Sequence, residues 1–266
     1  MIKDFSWVGN QEDFIDQANC VQVGKLIVGR YGGSSSGGQT KNEDGCLVWV
    51  HQDWEFAMIL DAHTTAESAE AVVKQLESNK NAIKNILSVP LTSSSFKKLE
   101  SKIVDIFQDE KFLSKCENIK GETSCLLVVR KEKFLWWFSI GDCILYLFHN
   151  ELANLGQYQL NQRQFFEWVG KENTFRKLVP CYSSGIRELR KGSNHLLLTT
   201  DGLIEYANSR FVNTVEIANV VEKTSQHEGI YSLLGDVASN NGRDSATIIS
   251  WQVTILEEGS MPSKGE

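Results

Sequence analysis

The chain has 266 residues, 41% of them hydrophobic and 23% charged, which is enough apolar material for a large core and too much for a disordered polymer. Its formal net charge of −7 and pI near 5.4 create a field that repels phosphate backbones and anionic lipid surfaces, so neither nucleic acid nor membrane is an expected partner. No stretch approaches the roughly 20 apolar residues of a membrane helix, and Met1-Ile2-Lys3-Asp4-Phe5 has neither the basic start nor the apolar run of a secretory segment.

In chain order, β-branched and aromatic runs predict strands over 21–30, 45–50 and 56–60. Apolar residues at 69, 72, 73, 76, 83, 86 and 87 then follow a helical period and predict a helix over 66–87. A second helix is expected over 95–112, begun by a Ser/Thr cluster able to cap it. Strands over 124–129 and 134–140, separated by Arg130-Lys131-Glu132-Lys133, read as a hairpin that 143–148 extends into a meander. After the poorly patterned 150–190 come a strand over 195–200, helices over 213–223 and 227–239, and a last strand over 246–254. Hairpin-joined strands with helices in blocks favour antiparallel sheets covered by helices, an α+β fold, where strict β–α alternation would favour a parallel sheet. Residues 1–256 read as one domain and 257–266 as a loose polar tail. The six cysteines (20, 46, 116, 125, 143 and 181) form no Cys-x-x-Cys pair and no zinc spacing, and a reduced, cytoplasmic setting is expected.

Acidic residues recur at the ends of the apolar strands. Asn42-Glu43-Asp44 precedes one, Asp61 ends another, Asp201 follows a third, and Asp244 precedes the last. A single Asp there is ordinary turn chemistry. Four such acids brought to one sheet edge would repel one another, a cost that a bound cation reverses. Oxygen donors without Cys or His suit magnesium or manganese better than zinc.

The order Asn42-Glu43-Asp44, Asp61-Ala62-His63, Glu122-Thr123-Ser124, Ile140-Gly141-Asp142, Thr200-Asp201-Gly202 and Asp244-Ser245-Ala246-Thr247 resembles the metal-dependent (type 2C) serine/threonine protein phosphatases. Members carry Glu-Asp, Asp-Gly-His-Gly, Gly-Thr-Thr, Val-Gly-Asp-Ser, Thr-Asp-Gly and Asp-Asn-x-Thr in that order. The resemblance covers about 22–253 and implies a four-layer αββα sandwich, two antiparallel sheets between helical layers, with two divalent cations (Mn2+ or Mg2+) at one sheet edge. It implies that Asp61 bridges the cations, that Asp201 and Asp244 complete one shell, and that Glu43 and the Ala62 carbonyl serve the other. Asp44 would be a ligand or an acceptor behind the ligands, and Asp142 matches the position that in many members helps to hold a third, weaker cation. A phosphoserine or phosphothreonine protein is the implied substrate, attacked by a hydroxide shared between two cations about 3.5–4 Å apart. His63, two residues past Asp61, shares its face if the strand stays extended and could protonate the leaving oxygen. A surface residue opening the next helix is the plain alternative for it.

Departures from the pattern set further expectations. Asp-Gly-His-Gly is here Asp61-Ala62-His63-Thr64, so any need for positive φ at 62 or 64 costs about 1 kcal/mol or more. Asp-Asn becomes Asp244-Ser245. The arginine that many members use to grip the substrate phosphate is Gln39, which carries no charge, leaving Lys41 and Arg30 as cations that could stand in and weak phosphate binding as the expectation. Gly33-Ser34-Ser35-Ser36-Gly37-Gly38-Gln39-Thr40 nearly spells a nucleotide P-loop, but it lacks the lysine and runs into a strand, so a flexible loop bordering the cleft is the better account. Trp136-Trp137 reads as packing surface and Cys143 as a small buried residue. Alongside an active phosphatase stand a catalytically silent relative retained as a regulatory binding module, and another metal-dependent phosphoesterase.

Overall fold

The structure, a computed structural model, describes residues 3–261. Its elements run β1 (Asp4–Val8), β2 (Asn19–Val23), β3 (Leu26–Tyr31), β4 (Gly45–Val50), β5 (Trp54–His63), α1 (Glu67–Ser78), α2 (Lys80–Leu87), α3 (Ser95–Phe107), α4 (Glu110–Glu117), β6 (Glu122–Lys131), β7 (Phe134–Ile140), β8 (Ile144–Phe148), α5 (Asn150–Ala153), β9 (Val169–Gly170), β10 (Ser183–Glu188), β11 (Gly192–Thr199), α6 (Thr214–Lys223), α7 (Gln226–Ser239) and β12 (Ala246–Ile255).

The strands form two antiparallel sheets. A seven-stranded sheet has the order β1-β4-β5-β6-β7-β10 with β9 paired to the start of β6, and a five-stranded sheet has the order β2-β3-β12-β11-β8. Alternation along each strand sends one set of side chains to each face. On β5, Phe56, Met58 and Leu60 pack under α1–α4 with Leu99, Ile103 and Phe107. Ala57 and Ile59 face the other sheet, meeting Val28, Leu198, Ile249 and Trp251. The outer face of the five-stranded sheet packs Ile27, Tyr146 and Ile248 against Ile217, Ile230 and Leu234 of α6 and α7. Three apolar layers between four structural layers give the αββα sandwich that the resemblance implies.

Several sequence boundaries shift for physical reasons. The strand expected over 21–30 is a hairpin, β2 and β3, turning at Gly24, whose φ is +60°. The helix expected over 66–87 breaks at Asn79, whose amide side chain folds back onto the Gln75 carbonyl at 3.0 Å. The one expected over 95–112 ends at Phe107, and Asp109 caps a new helix by accepting from the Phe112 N–H at 2.9 Å. Strands β1, β9 and β10 have no counterpart in the sequence pattern. Trp136 is buried under the helices and Cys143 lies between the sheets, where burial pushes its thiol well above the ordinary range. All six cysteines are free.

Of the 257–266 tail, residues 262–266 lie outside the described residues. Glu257 pairs with Lys133 at 3.1 Å, Glu258 with Lys191, and the Ser260 N–H donates to Glu188 at 3.1 Å, so 257–261 is tied to the sheet edges. Among the described residues no helix is long and apolar enough to cross a membrane.

Candidate active site

At one end of the sandwich the strands of both sheets deliver their acidic ends together. The seven-stranded sheet supplies Glu43 and Asp44 just before β4, Asp61 near the end of β5, and Asp142 just after β7. The five-stranded sheet supplies Asp201 just after β11 and Asp244 just before β12. β5 continues through His63, with Asp61 opposite Ser124, Ala62 opposite Thr123 and His63 opposite Glu122 on β6. Asp61 and His63 therefore share one face, while the Ala62 side chain turns into the layer beneath α1.

Two glycines make this convergence sterically possible. A Cβ on Gly202 would lie 1.9 Å from the Ser245 carbonyl oxygen, so only glycine lets the turn after Asp201 press against the strand that Asp244 opens. Gly141 holds φ +86°, and a Cβ there would meet the Ser124 hydroxyl at 2.3 Å, the group that donates to Asp142 at 2.6 Å.

The buried acids are held by few donors. Asp44, 1% exposed, accepts from the hydroxyls of Thr200 at 3.1 Å and Thr247 at 2.7 Å, both on the five-stranded sheet side. Asp61 Oδ2 and Asp201 Oδ1 are buried and have no hydrogen-bond partner. Burial first, then the charges of Asp201, Asp44, Asp244 and Asp142, lifts the Asp61 carboxyl well above the usual carboxylate range. Burial also lifts Asp44, aided by Asp244 and Asp201 and opposed by the two threonine hydroxyls. The Asp201 carboxyl is pushed up to about 7 by burial and then by Asp244, Asp142 and Glu205. Asp244 is the most exposed of the group; burial raises it, while the Ser245 N–H at 2.9 Å and the nearby His63 lower it.

Lys41 pairs with Glu43 at 2.7 Å and donates to the Thr64 carbonyl. Thr64 holds φ +77°, so the expected cost falls on this position, whereas Ala62 lies in extended strand and incurs none. Arg30 does not reach the site. It is 7% exposed, stacks over Phe5, Trp7 and Phe14 at 4.3–5.3 Å, and donates to Asn19. Gln39, Lys41, Glu43, Glu205, Arg243 and Asp244 line a cavity of about 440 Å3 at the mouth. The Gly33–Gln39 loop, expected to be flexible, is stitched down: the Ser34 N–H donates to the Gly242 carbonyl at 2.9 Å and the Ser36 hydroxyl to Asn241 at 2.8 Å. That stitching sets Gln39 beside Arg243.

Three site residues escape sequence reasoning. Glu205 follows Asp201 by four residues across a 3-10 turn, a spacing that could have flagged it. Arg243 directly precedes Asp244 and could have been read as a cation beside a candidate ligand. Arg163, whose guanidinium lies 3.4 Å from Asp142 Oδ2, comes from the unpatterned segment and carries no signal at all.

The donor set fits hard divalent cations: every candidate ligand is oxygen, and two buried carboxylate oxygens from opposite sheets point at no donor. Among the described residues no three His, Cys, Asp or Glu side chains are already closed into a coordination shell, so the acids converge at one end of the fold without closing on one point.

The chain matches no protein-family model and no curated protein. Solved structures share its fold. A bacterial serine phosphatase is 17% identical over 89% of this chain and 99% of its own, with a TM-score of 0.64. The serine/threonine phosphatase Stp1 from Staphylococcus aureus is 17% identical over 95% of both chains, with a TM-score of 0.62. RsbX in complex with magnesium is 12% identical over 89% of this chain and all of its own, with a TM-score of 0.56. The likeness is one of fold.

Proposed function

We propose that this chain hydrolyses phosphoserine or phosphothreonine in proteins with the help of two divalent cations, manganese or magnesium. The observation that carries the proposal is the pair of partnerless buried carboxylate oxygens, Asp61 Oδ2 and Asp201 Oδ1, brought by two different sheets to the same end of the fold, near enough for the Asp201 charge to help raise the Asp61 carboxyl. A polar atom buried without a partner costs about 1–3 kcal/mol, and more for an ionised one; protonation lowers that cost in the metal-free chain, and bound cations would offset it with the carboxylates ionised. When bound, the two cations would supply positive charge that neutralises the phosphate and lowers the pKa of water.

This chain's own residues do the rest. Asp61, whose carboxyl feels the charges of acids from both sheets, would serve both cations; Asp201 and Asp244 would hold one, and Glu43 with the Ala62 carbonyl the other. Asp44, already committed to Thr200 and Thr247, suits an acceptor behind the ligands. Asp142 belongs to the same end of the sandwich and is paired with Arg163. His63 shares the face of Asp61 and would protonate the departing serine or threonine oxygen. Lys41 and Arg243, which line the same cavity as Gln39, would orient the phosphate; the uncharged Gln39 cannot supply the bidentate clamp of a guanidinium. The phosphoprotein substrate class draws support from the fold neighbours, which are described as serine or serine/threonine phosphatases. On this reading residues 1–256 act as one catalytic unit, and the six free cysteines are in keeping with a reducing, cytoplasmic setting.

The silent binding-module reading draws on the strained Thr64 and on the Lys41–Glu43 pair, which occupies one expected ligand. One assay separates the two. Manganese is expected to support hydrolysis of an aryl phosphate, chelation to abolish it, and Asp201→Asn to lower it at least about a hundredfold. Manganese binding without turnover on any phosphopeptide favours the silent module, and calorimetry showing no manganese binding defeats every metal-dependent reading, whether on phosphoproteins or another phosphate ester.

A further inference from the structure

The guanidinium of Arg163 lies in a nest of acids drawn from both sheets, Asp142 from the seven-stranded one and Asp201 and Glu205 from the five-stranded one. Its Nη2 is 3.4 Å from Asp142 Oδ2, 3.6 Å from Asp201 Oδ2 and 2.5 Å from Glu205 Oε1, and its Nε donates to the Asp142 carbonyl at 3.1 Å. Its flat face stacks on Phe165 at 4.7 Å, and the side chain is 18% exposed. The next residue is fixed too, with the Gln164 N–H donating to the Gly141 carbonyl at 2.8 Å. An exposed ion pair would contribute little, but this is one fixed cation shared among three carboxylates and a carbonyl.

We propose that Arg163 is a built-in counter-cation that takes the place of a third metal ion at Asp142, so that the chain binds two divalent cations and uses the guanidinium to latch the 150–190 segment onto the acidic end. The inference rests on the metal-dependent reading above. A fixed guanidinium and a divalent ion compete for the same carboxylate oxygens: Asp142 has Oδ1 committed to the Ser124 hydroxyl and Oδ2 to Arg163, whereas Asp201 keeps Oδ1 without a partner and open to an ion. Since the guanidinium arrives on the segment beside the cleft, an ion at Asp142 would also have to pull that segment loose.

The test is the number of ions bound. Calorimetry with manganese alone is expected to give two ions per chain for the wild type and for Arg163→Lys. Arg163→Met, which keeps the apolar stem but not the charge, is expected to add a third, weaker binding event. Anomalous scattering from a manganese-soaked crystal of Arg163→Met should place the added ion against Asp142. Three ions in the wild type, or two ions with unchanged affinities in Arg163→Met, would overturn the proposal while leaving the binuclear reading standing. If the wild type binds no manganese at all, both fall. The wild-type stoichiometry decides even if the variant fails to fold.

Discussion

Thr247 on β12 donates its hydroxyl to Asp44 at 2.7 Å, joining the mouth of the five-stranded sheet to the mouth of the seven-stranded one. The two groups are 203 residues apart in sequence, and both are buried. Thr247→Val keeps the shape and removes a donor from a buried carboxyl, which should lower stability by about 1–3 kcal/mol. Thr247→Ser should recover most of it. Thermal melts with and without manganese check this, and a melt of Thr247→Val identical to the wild type would show that the bond holds nothing together.

The acids at the site set how the metal-free protein responds to pH. With its carboxyl raised to about 7, Asp201 keeps its proton in the folded chain over a range where an unfolded Asp, near 3.8, has lost it. The folded state binds more protons between those values, so stability of the metal-free protein should fall as pH rises from about 4 to about 7. Asp61 and Asp44 act in the same direction. Asp201→Asn should flatten that slope and make the metal-free protein more stable than wild type at pH values above about 7. Melting temperatures across the range, in chelator, decide it.

Thr64 is exposed and β-branched, yet held at φ +77°. Left-handed backbone costs a β-branched residue more than the added chain entropy costs glycine. Thr64→Gly should therefore stabilise by roughly 1 kcal/mol, with the Lys41 bond unaffected because it reaches the backbone carbonyl. Denaturant melts measure it; a loss of stability would mean that the threonine makes compensating contacts.

Arg243 tests the proposed phosphate grip. Losing one charge-assisted contact to phosphate should raise KM for a phosphopeptide by about ten- to a hundredfold, with manganese affinity unchanged. The change to make is Arg243→Gln. Gln39→Arg, next to it on the same wall, should move KM the opposite way. Equal KM for wild type and Arg243→Gln would remove Arg243 from the site.

Much of this site can be read before any coordinates, because its acids lie at strand ends and strand ends are where apolar runs stop. Asp61, Asp201 and Asp244 are visible in that way, as is the shared face of Asp61 and His63. The layer count comes from resemblance alone, since periodicity says which face of a strand is apolar and nothing about which sheet it joins. Asn79 and Asp109 break two helices whose apolar period runs on past them, local side-chain bonds winning over pattern. Strands β9 and β10 are held by pairing to β6 and β7 rather than by their own composition. Arg163 is invisible for the same reason: its place comes from tertiary contacts of an irregular segment.

The acids ride on two separate sheets, and the dry layer between those sheets fixes the gap across which they face each other. On the proposed metal-dependent reading, side chains such as Val28, Ile59 and Ile249, which never meet solvent or charge, would help to set which ion radius the opening prefers. Repacking hydrocarbon between the sheets would then be expected to change the preferred metal with every carboxylate left in place.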